Sequence, residues 1–308
     1  MPMTIQTVLI PTDGSDRSTA AARRGFDLAA ALDCTVHALS VVDSSIATGA
    51  GYGGDSPSIR KRLREKATER ATSLRDEATQ RGIEATAVTR EGIPAKEIVT
   101  YAADAGIDAI ILGTSGRGGI ARTVMGSVAD KVVRTASIPV ITITPAAARA
   151  ETTDAVDTIL LPTDGSEPAT AAAEFGVELA SQLTASVHLL SVIDHSRSSI
   201  RSRILGAESA GDEAALRERA TAQLNALASG AREAGVEAHV TVTDGDPAEE
   251  IVQYAESKAI DLIALGTVGR GGFDRLLVGS VADHVIRTAP IPVLTTRSTD
   301  TKELQTDL

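Results

Sequence analysis

The chain has 308 residues, 43% of them hydrophobic and 23% charged, the balance of a soluble globular protein with room for two or three domains. Aromatics make up only 2% and Trp is absent, so the cores must be built from Val, Ile, Leu and Ala. That disfavours an aromatic-rich β-sandwich, and the net charge of −11 argues against sequence-independent nucleic-acid binding, which needs clustered cations.

In chain order, Thr7 to Pro11 is a short apolar run of the kind a strand buried on both faces shows. After the turn PTDGS, Ser18 to Leu32 is Ala-rich with apolar residues at helical spacing. A second strand spans Val36 to Val42, and a glycine-rich loop leads to a long charged amphipathic helix from about Ile59 to Arg81. A third strand (Glu84 to Thr89), a helix begun after Pro94, and a fourth strand (Ala109 to Leu112) follow. A helix from Ser127 to Thr135 and a fifth strand, Val140 to Thr144, close the unit. This alternation predicts an open, parallel five-stranded α/β sheet, Rossmann-like, with right-handed crossovers and helices on both faces.

The unit then recurs. TVLIPTDGS at Thr7 returns as TILLPTDGS at Thr158, and GIPAKEIVTYAADAGIDAIILGTSGRGG returns as GDPAEEIVQYAESKAIDLIALGTVGRGG. The offset is 151 residues in the first block and 153 in the second, so the difference falls in the loop after the second strand. A period near 150 is one whole domain, too long for a solenoid repeat. The expected organisation is a domain over 1–146, a linker over 147–155, a second domain over 156–297 and a polar tail over 298–308.

The unusual residues gather at strand ends, where open parallel sheets bind ligands. After the fourth strand Gly113, Gly116, Gly126 and Ser127 recur as Gly266, Gly269, Gly279 and Ser280. Glycines let backbone amides approach an oxyanion, and a helix that begins at Ser127 adds unpaired amides, a positive dipole end and a hydroxyl. The alternative is that the glycines shape turns and Ser127 is an N-cap; identical spacing across diverged residues such as IARTVM and FDRLLV favours the anion cradle. Asp13 and Asp164, in the PTDGS turns, can hydrogen-bond an adenine amino group or a ribose hydroxyl, or else close an Asx-turn. Arg117 and Arg270, within GRGG, stand as phosphate contacts or as surface ion-pair partners.

Together the PTDGS turn, the SVVD and SVID ends of the second strand, the GxPxxEI helix start and the Gly-x2-Gly-x9-Gly-Ser spacing resemble the universal stress protein family. The likeness runs through both halves, and the last motif is the specific one. It implies an adenine nucleotide alpha hydrolase-like fold and ATP binding, with or without Mg²⁺. Adenine contacts would fall on Asp13 and the backbone of Val41, and on Asp164 and Val192. Phosphate contacts would fall on Gly113, Gly116, Gly126, Ser127 and Val128, and on Gly266, Gly269, Gly279, Ser280 and Val281. The resemblance also implies pairing of the two halves through their last strands, IPVITI and IPVLTT, with a homodimer of chains as a further possibility.

Other signals are set aside. Gly49 to Gly54 fits G-x-G-x-x-G but follows the second strand and has no counterpart in the other half, so it is no dinucleotide fingerprint. The run Arg60-Lys61-Arg62 reads as a solvated helix face. His37 and His188 occupy equivalent strand positions and read as buried structural residues; His195, His239 and His284 lack metal spacing. Cys34, the sole cysteine, reads as an inert core residue and permits no intramolecular disulfide. With no signal-like N-terminus and no run near the ~18 apolar residues of a membrane helix, a cytoplasmic protein is expected. Scarce Lys beside plentiful Asp, Ala and Thr suits solubility at high salt, or equally a GC-rich genome. The leading expectation is an ATP-binding, stress-response regulatory module with no dedicated catalytic base and at most slow hydrolysis. The alternatives are an adenylating or slowly hydrolysing enzyme and a structural tandem with degenerate sites.

Overall fold

The protein is described here by a computed structural model, over residues 4–44, 57–115, 125–150, 155–194, 210–267 and 278–297. In the first half β1 (Thr7–Pro11), α1 (Asp16–Ala31), β2 (Thr35–Asp43), α2 (Pro57–Gln80), β3 (Ala85–Gly92), α3 (Pro94–Asp104), β4 (Ala109–Gly113), α4 (Ser127–Thr135) and β5 (Val140–Ile143) alternate as expected. The second half repeats the order with β6 (Thr158–Pro162), α5 (Glu167–Leu183), β7 (Ser186–Ile193), α6 (Ala210–Glu233), β8 (Ala238–Asp244), α7 (Pro247–Ser257), β9 (Leu262–Gly266), α8 (Ser280–Thr288) and β10 (Val293–Thr296).

Each half is a parallel sheet, and the two are joined into one of ten strands, ordered β3-β2-β1-β4-β5-β10-β9-β6-β7-β8. The joint is the antiparallel pair β5 and β10, with Val293 opposite Thr142 and Thr295 opposite Val140. Since Val293 and Thr295 are themselves the repeats of Val140 and Thr142, a pseudo-two-fold axis passes between Ile141 and its partner Leu294. The buried Thr142 and Thr295 hydroxyls mirror each other, donating across the joint to Val293 O (3.2 Å) and Val140 O (3.1 Å).

Strand alternation sends Val8 and Ile10 to one face and Leu9 to the other. One face carries α1, α2, α5 and α6, the other α3, α4, α7 and α8, so both are covered and the central strands β1, β4, β6 and β9 are largely apolar, whereas the edge strands β3 and β8 carry polar and charged side chains. On the first face the Gln182 side chain clamps the halves: its Oε1 accepts from Ile5 N (3.1 Å) and its Nε2 donates to Ile5 O (2.8 Å). On the second, α4 and α8 meet over the pseudo-axis. Arg134–Asp130 (2.9 Å) and Arg287–Asp283 (2.8 Å) are linked crosswise at 3.9 Å by Arg134–Asp283 and Arg287–Asp130. Ala147, in the stretch following β5, is fully buried in the first-face core, where a single 3-10 turn, Ala147–Arg149, lies beside α1.

Candidate functional site

β1 lies between β2 and β4, so the chain runs outward in one direction through β2 and β3 and in the other through β4 and β5. The carboxyl ends of β1 and β4 therefore flank the switch point of the half-sheet, and β6 and β9 do so in the second half.

One lip is the PTDGS turn. Gly14 and Gly165 both sit at φ +75°, which L side chains adopt only with strain. Gly14 N donates to Thr12 Oγ1 (3.0 Å), and Asp13 Oδ1 accepts from Ser15 N (2.9 Å) and Ser15 Oγ (2.7 Å). Asp164 Oδ1 accepts from Ser166 N in the same way (3.0 Å). The Asx-turn alternative is thus realised in both halves, through Oδ1 of each carboxylate. Ser15 also caps α1, accepting from Ser18 N at 3.2 Å.

Val41 and Val192 lie where β2 and β7 run past the ends of β1 and β6. Leu39 O accepts from Thr12 N (2.8 Å) at the last β1–β2 pairing, Pro11 with Leu39. Two residues on, Val41 has the same backbone sense, so its N–H and C=O face the side of β1 beyond that strand's end. Leu190 O accepts from Thr163 N (2.9 Å) and places Val192 alike.

The other lip follows β4. The buried Thr114 continues the strand through its N–H to Ile143 O (2.9 Å), and its carbonyl accepts from Gly126 N (2.7 Å). Thr267 repeats both contacts, with Thr296 O (3.0 Å) and Gly279 N (2.7 Å). One short backbone bond therefore closes the base of each glycine loop. Neither threonine was singled out in the sequence; their occurrence directly after Gly113 and Gly266 in both copies was the available signal. Gly116, Arg117, Gly269 and Arg270 lie outside the described residues.

Gly126 and Gly279 are the N-caps of α4 and α8, so the alternative that Ser127 caps its helix does not hold: Ser127 and Ser280 open the helices and are exposed. Neither cap makes a side-chain hydrogen bond, whereas Asp246 caps α7 through Ala248 N (2.9 Å) and Glu249 N (3.1 Å). The amides of Ser127, Val128, Ser280 and Val281 thus stand at the positive ends of helices whose caps supply no acceptor side chain.

Two motif glycines have packing reasons. A Cβ at Gly113 would stand 2.9 Å from Ala21 Cβ of α1, and one at Gly266 would stand 2.8 Å from the Pro168 carbonyl oxygen of α5. The GxPxxE pattern is also structural: Gly92 and Gly245, at φ +156° and +146°, lie under the side chains of Glu97 and Glu250.

The residues set aside are packed within the fold. His37 Nδ1 is 2.6 Å from the Tyr101 hydroxyl and His188 Nδ1 is 3.0 Å from that of Tyr254. Both histidines are half-buried, and desolvation lowers both pKa values; for His188 the neighbouring His239 lowers it further. Cys34 is buried, its Sγ donates to Ile5 O (3.3 Å), and burial pushes its pKa up to about 12. No group of three or more metal-ligating side chains occurs among the described residues. No helix among them is long and apolar enough to cross a membrane.

The model described as "Universal stress protein family" matches this chain twice, over residues 4–144 and 155–297. The chain belongs to the universal stress protein family. A universal stress protein of Methanocaldococcus jannaschii is 36% identical over 136 residues, which are 44% of this chain and 80% of that protein. One from Mycobacterium tuberculosis is 31% identical over 196 residues, 61% of each chain. A crystal structure of a universal stress protein from Archaeoglobus fulgidus matches the tandem fold with a TM-score of 0.70, over 96% of this chain and 97% of that one. At 21% identity it bears on the fold alone.

Proposed function

We propose that this universal stress protein binds ATP at the switch point of each half and acts as a nucleotide-dependent regulatory module of the stress response, with at most slow hydrolysis. The observation that carries the reading is the duplication of one arrangement. In each half a loop glycine is the N-cap, without a side-chain cap bond, of a nine-residue helix, beside the end of the strand paired to the carboxylate-bearing turn. Helix N-terminal amides and the positive dipole end suit phosphate. The outward-facing backbone of Val41 or Val192 and the carboxylate of Asp13 or Asp164 suit the base and ribose. Gly113, Gly116, Arg117, Gly126, Ser127 and Val128 would hold the phosphates in the first half, and Gly266, Gly269, Arg270, Gly279, Ser280 and Val281 in the second. Mg²⁺ would be carried in with the nucleotide, and the location would be cytoplasmic.

The test is to denature freshly purified protein and quantify the nucleotide released per chain, before and after soaking with ATP and Mg²⁺. Close to two per chain supports paired sites. None after soaking overturns the reading, and stoichiometric release of AMP and pyrophosphate would favour an adenylating enzyme instead. Gly126→Val with Gly279→Val is expected to abolish binding in a folded chain, since both glycines have φ and ψ values open to any residue. Binding retained by the folded double variant would remove the glycine loops from the site.

A further inference from the structure

The two halves share their backbone but not the charge at the lips of the crevice. In the first half the stem of Arg70, from α2, crosses the PTDGS turn: a Cβ built on Gly14 would lie 2.7 Å from Arg70 Cδ and Nε. The same place over Gly165 is held by Gln223 of α6, whose Cδ would lie 2.6 Å from such a Cβ. Where α1 passes the end of β4, its backbone at Arg17 is 3.8 Å from a Cβ at Gly113, and the repeat of Arg17 is Pro168, which faces Gly266. At the N-terminal turns of α2, Arg60, Lys61 and Arg64 line an open cleft of about 280 Å³. Their repeats are Glu213, Ala214 and Arg217. The surrounding carboxylates differ much less: Asp13, Asp16, Asp43 and Glu91 of the first half are matched by Asp164, Glu167, Asp194 and Asp244 of the second. Glu65 is likewise matched by Glu218, while Glu69 is replaced by Ala222.

We propose, building on the nucleotide reading above, that the two sites select by ligand charge. The first half takes the adenosine polyphosphate, and the second takes an adenine nucleotide with fewer phosphates. Position 70 sets the preference. The charge that Arg70 holds over the turn attracts each added phosphate charge at longer range, whereas Gln223 offers no charge to it. The second half does carry Arg197, Arg201 and Arg203, in residues 195–209, outside the described residues. An exchange at the lip itself separates their influence from that of Arg70.

The experiment uses the full chain with one site silenced at a time, by Gly279→Val or by Gly126→Val, and titrates ATP and AMP calorimetrically. The expected ratio of AMP to ATP dissociation constants is about tenfold larger in the first half than in the second, the scale of one guanidinium acting on the added phosphate charges. Arg70→Gln should reduce that ratio about tenfold, Arg70→Lys should retain it, and Gln223→Arg should raise it in the second half. All these differences should shrink as KCl is raised and the charges are screened. Arg70→Gln reproduces the side chain that the second half already places over its turn, so the fold accommodates it. Equal ratios in the two halves, or a ratio indifferent to position 70, overturn the charge-selection inference while leaving the sites intact. Failure of the unmodified chain to bind either nucleotide overturns the nucleotide reading itself.

Discussion

Gly266→Ala tests whether α5 is held as closely against the end of β9 as the structure has it. A Cβ at Gly266 would stand 2.8 Å from the Pro168 carbonyl oxygen, 3.1 Å from its carbon and 3.4 Å from Ala169 N. Those are backbone atoms at the start of a 17-residue helix, so no rotamer change relieves the contact. The helix must move, and overpacking of this kind costs about 1–3 kcal/mol. At Gly113 the one close neighbour is Ala21 Cβ at 2.9 Å, with the next atoms at 3.8 Å, so Gly113→Ala should fall in the lower part of that range. Urea unfolding followed by circular dichroism reads both. The expected order of stability is wild type, then Gly113→Ala, then Gly266→Ala. Both added methyl groups point at helix backbone or side chain, so the amount of bound nucleotide should be preserved in the folded variants. A Gly266→Ala protein as stable as wild type would refute the close approach. Loss of nucleotide without loss of stability would mean that the absence of a side chain at these positions serves the ligand instead of the packing.

Three further outcomes are expected. Cys34 should resist an aromatic disulfide reagent at pH 8 in the native protein and react once per chain in denaturant, because burial holds its pKa near 12; fast native labelling would contradict that burial. Burial lowers the His37 and His188 pKa values below the ordinary 6.5, so the unfolded chain binds more protons just below that value and stability should fall as pH drops through it. His37→Gln with His188→Gln should flatten the pH dependence of the urea midpoint in that window, and an unchanged slope would assign it to other groups. Arg134 and Asp283, a cross-axis pair at 3.9 Å with side chains about 28% and 34% exposed, should couple by less than about 1 kcal/mol in a double-mutant cycle and lose that coupling in high salt. A coupling above about 2 kcal/mol would show that the pair is desolvated.

Much of this was legible in the residues themselves. Strand and helix order followed from short apolar runs alternating with helical spacing, and the starts of α4 and α8 from Gly-Ser ahead of VADKVV and VADHVI. Such patterns report local conformation and burial, which is why they also placed Asp13, Val41 and Ser127 at strand and helix ends. Pattern could not say why a glycine was a glycine. Gly113 and Gly126 look alike in the motif, yet one is required by Ala21 of α1 and the other is a helix cap with ordinary backbone angles. Nor did the small, polar composition after Pro145 reveal that Ala147 is wholly buried.

By itself, then, the sequence determined that one α/β unit occurs twice, which face of each element is apolar, and which residue types stand at the strand ends. Residue patterning did not decide that β5 and β10 pair antiparallel and close the halves into a single sheet; the family resemblance implied pairing of these strands, and the structure has it. VITI reads the same as a free edge or as a central strand, since both bury apolar side chains, and only the partner backbone distinguishes them. The tertiary structure alone decided that Arg70 crosses one turn and Gln223 the other. Each lies 56 to 58 residues along the chain from the glycine it covers, a contact that only the packing of α2 and α6 beside those turns brings about.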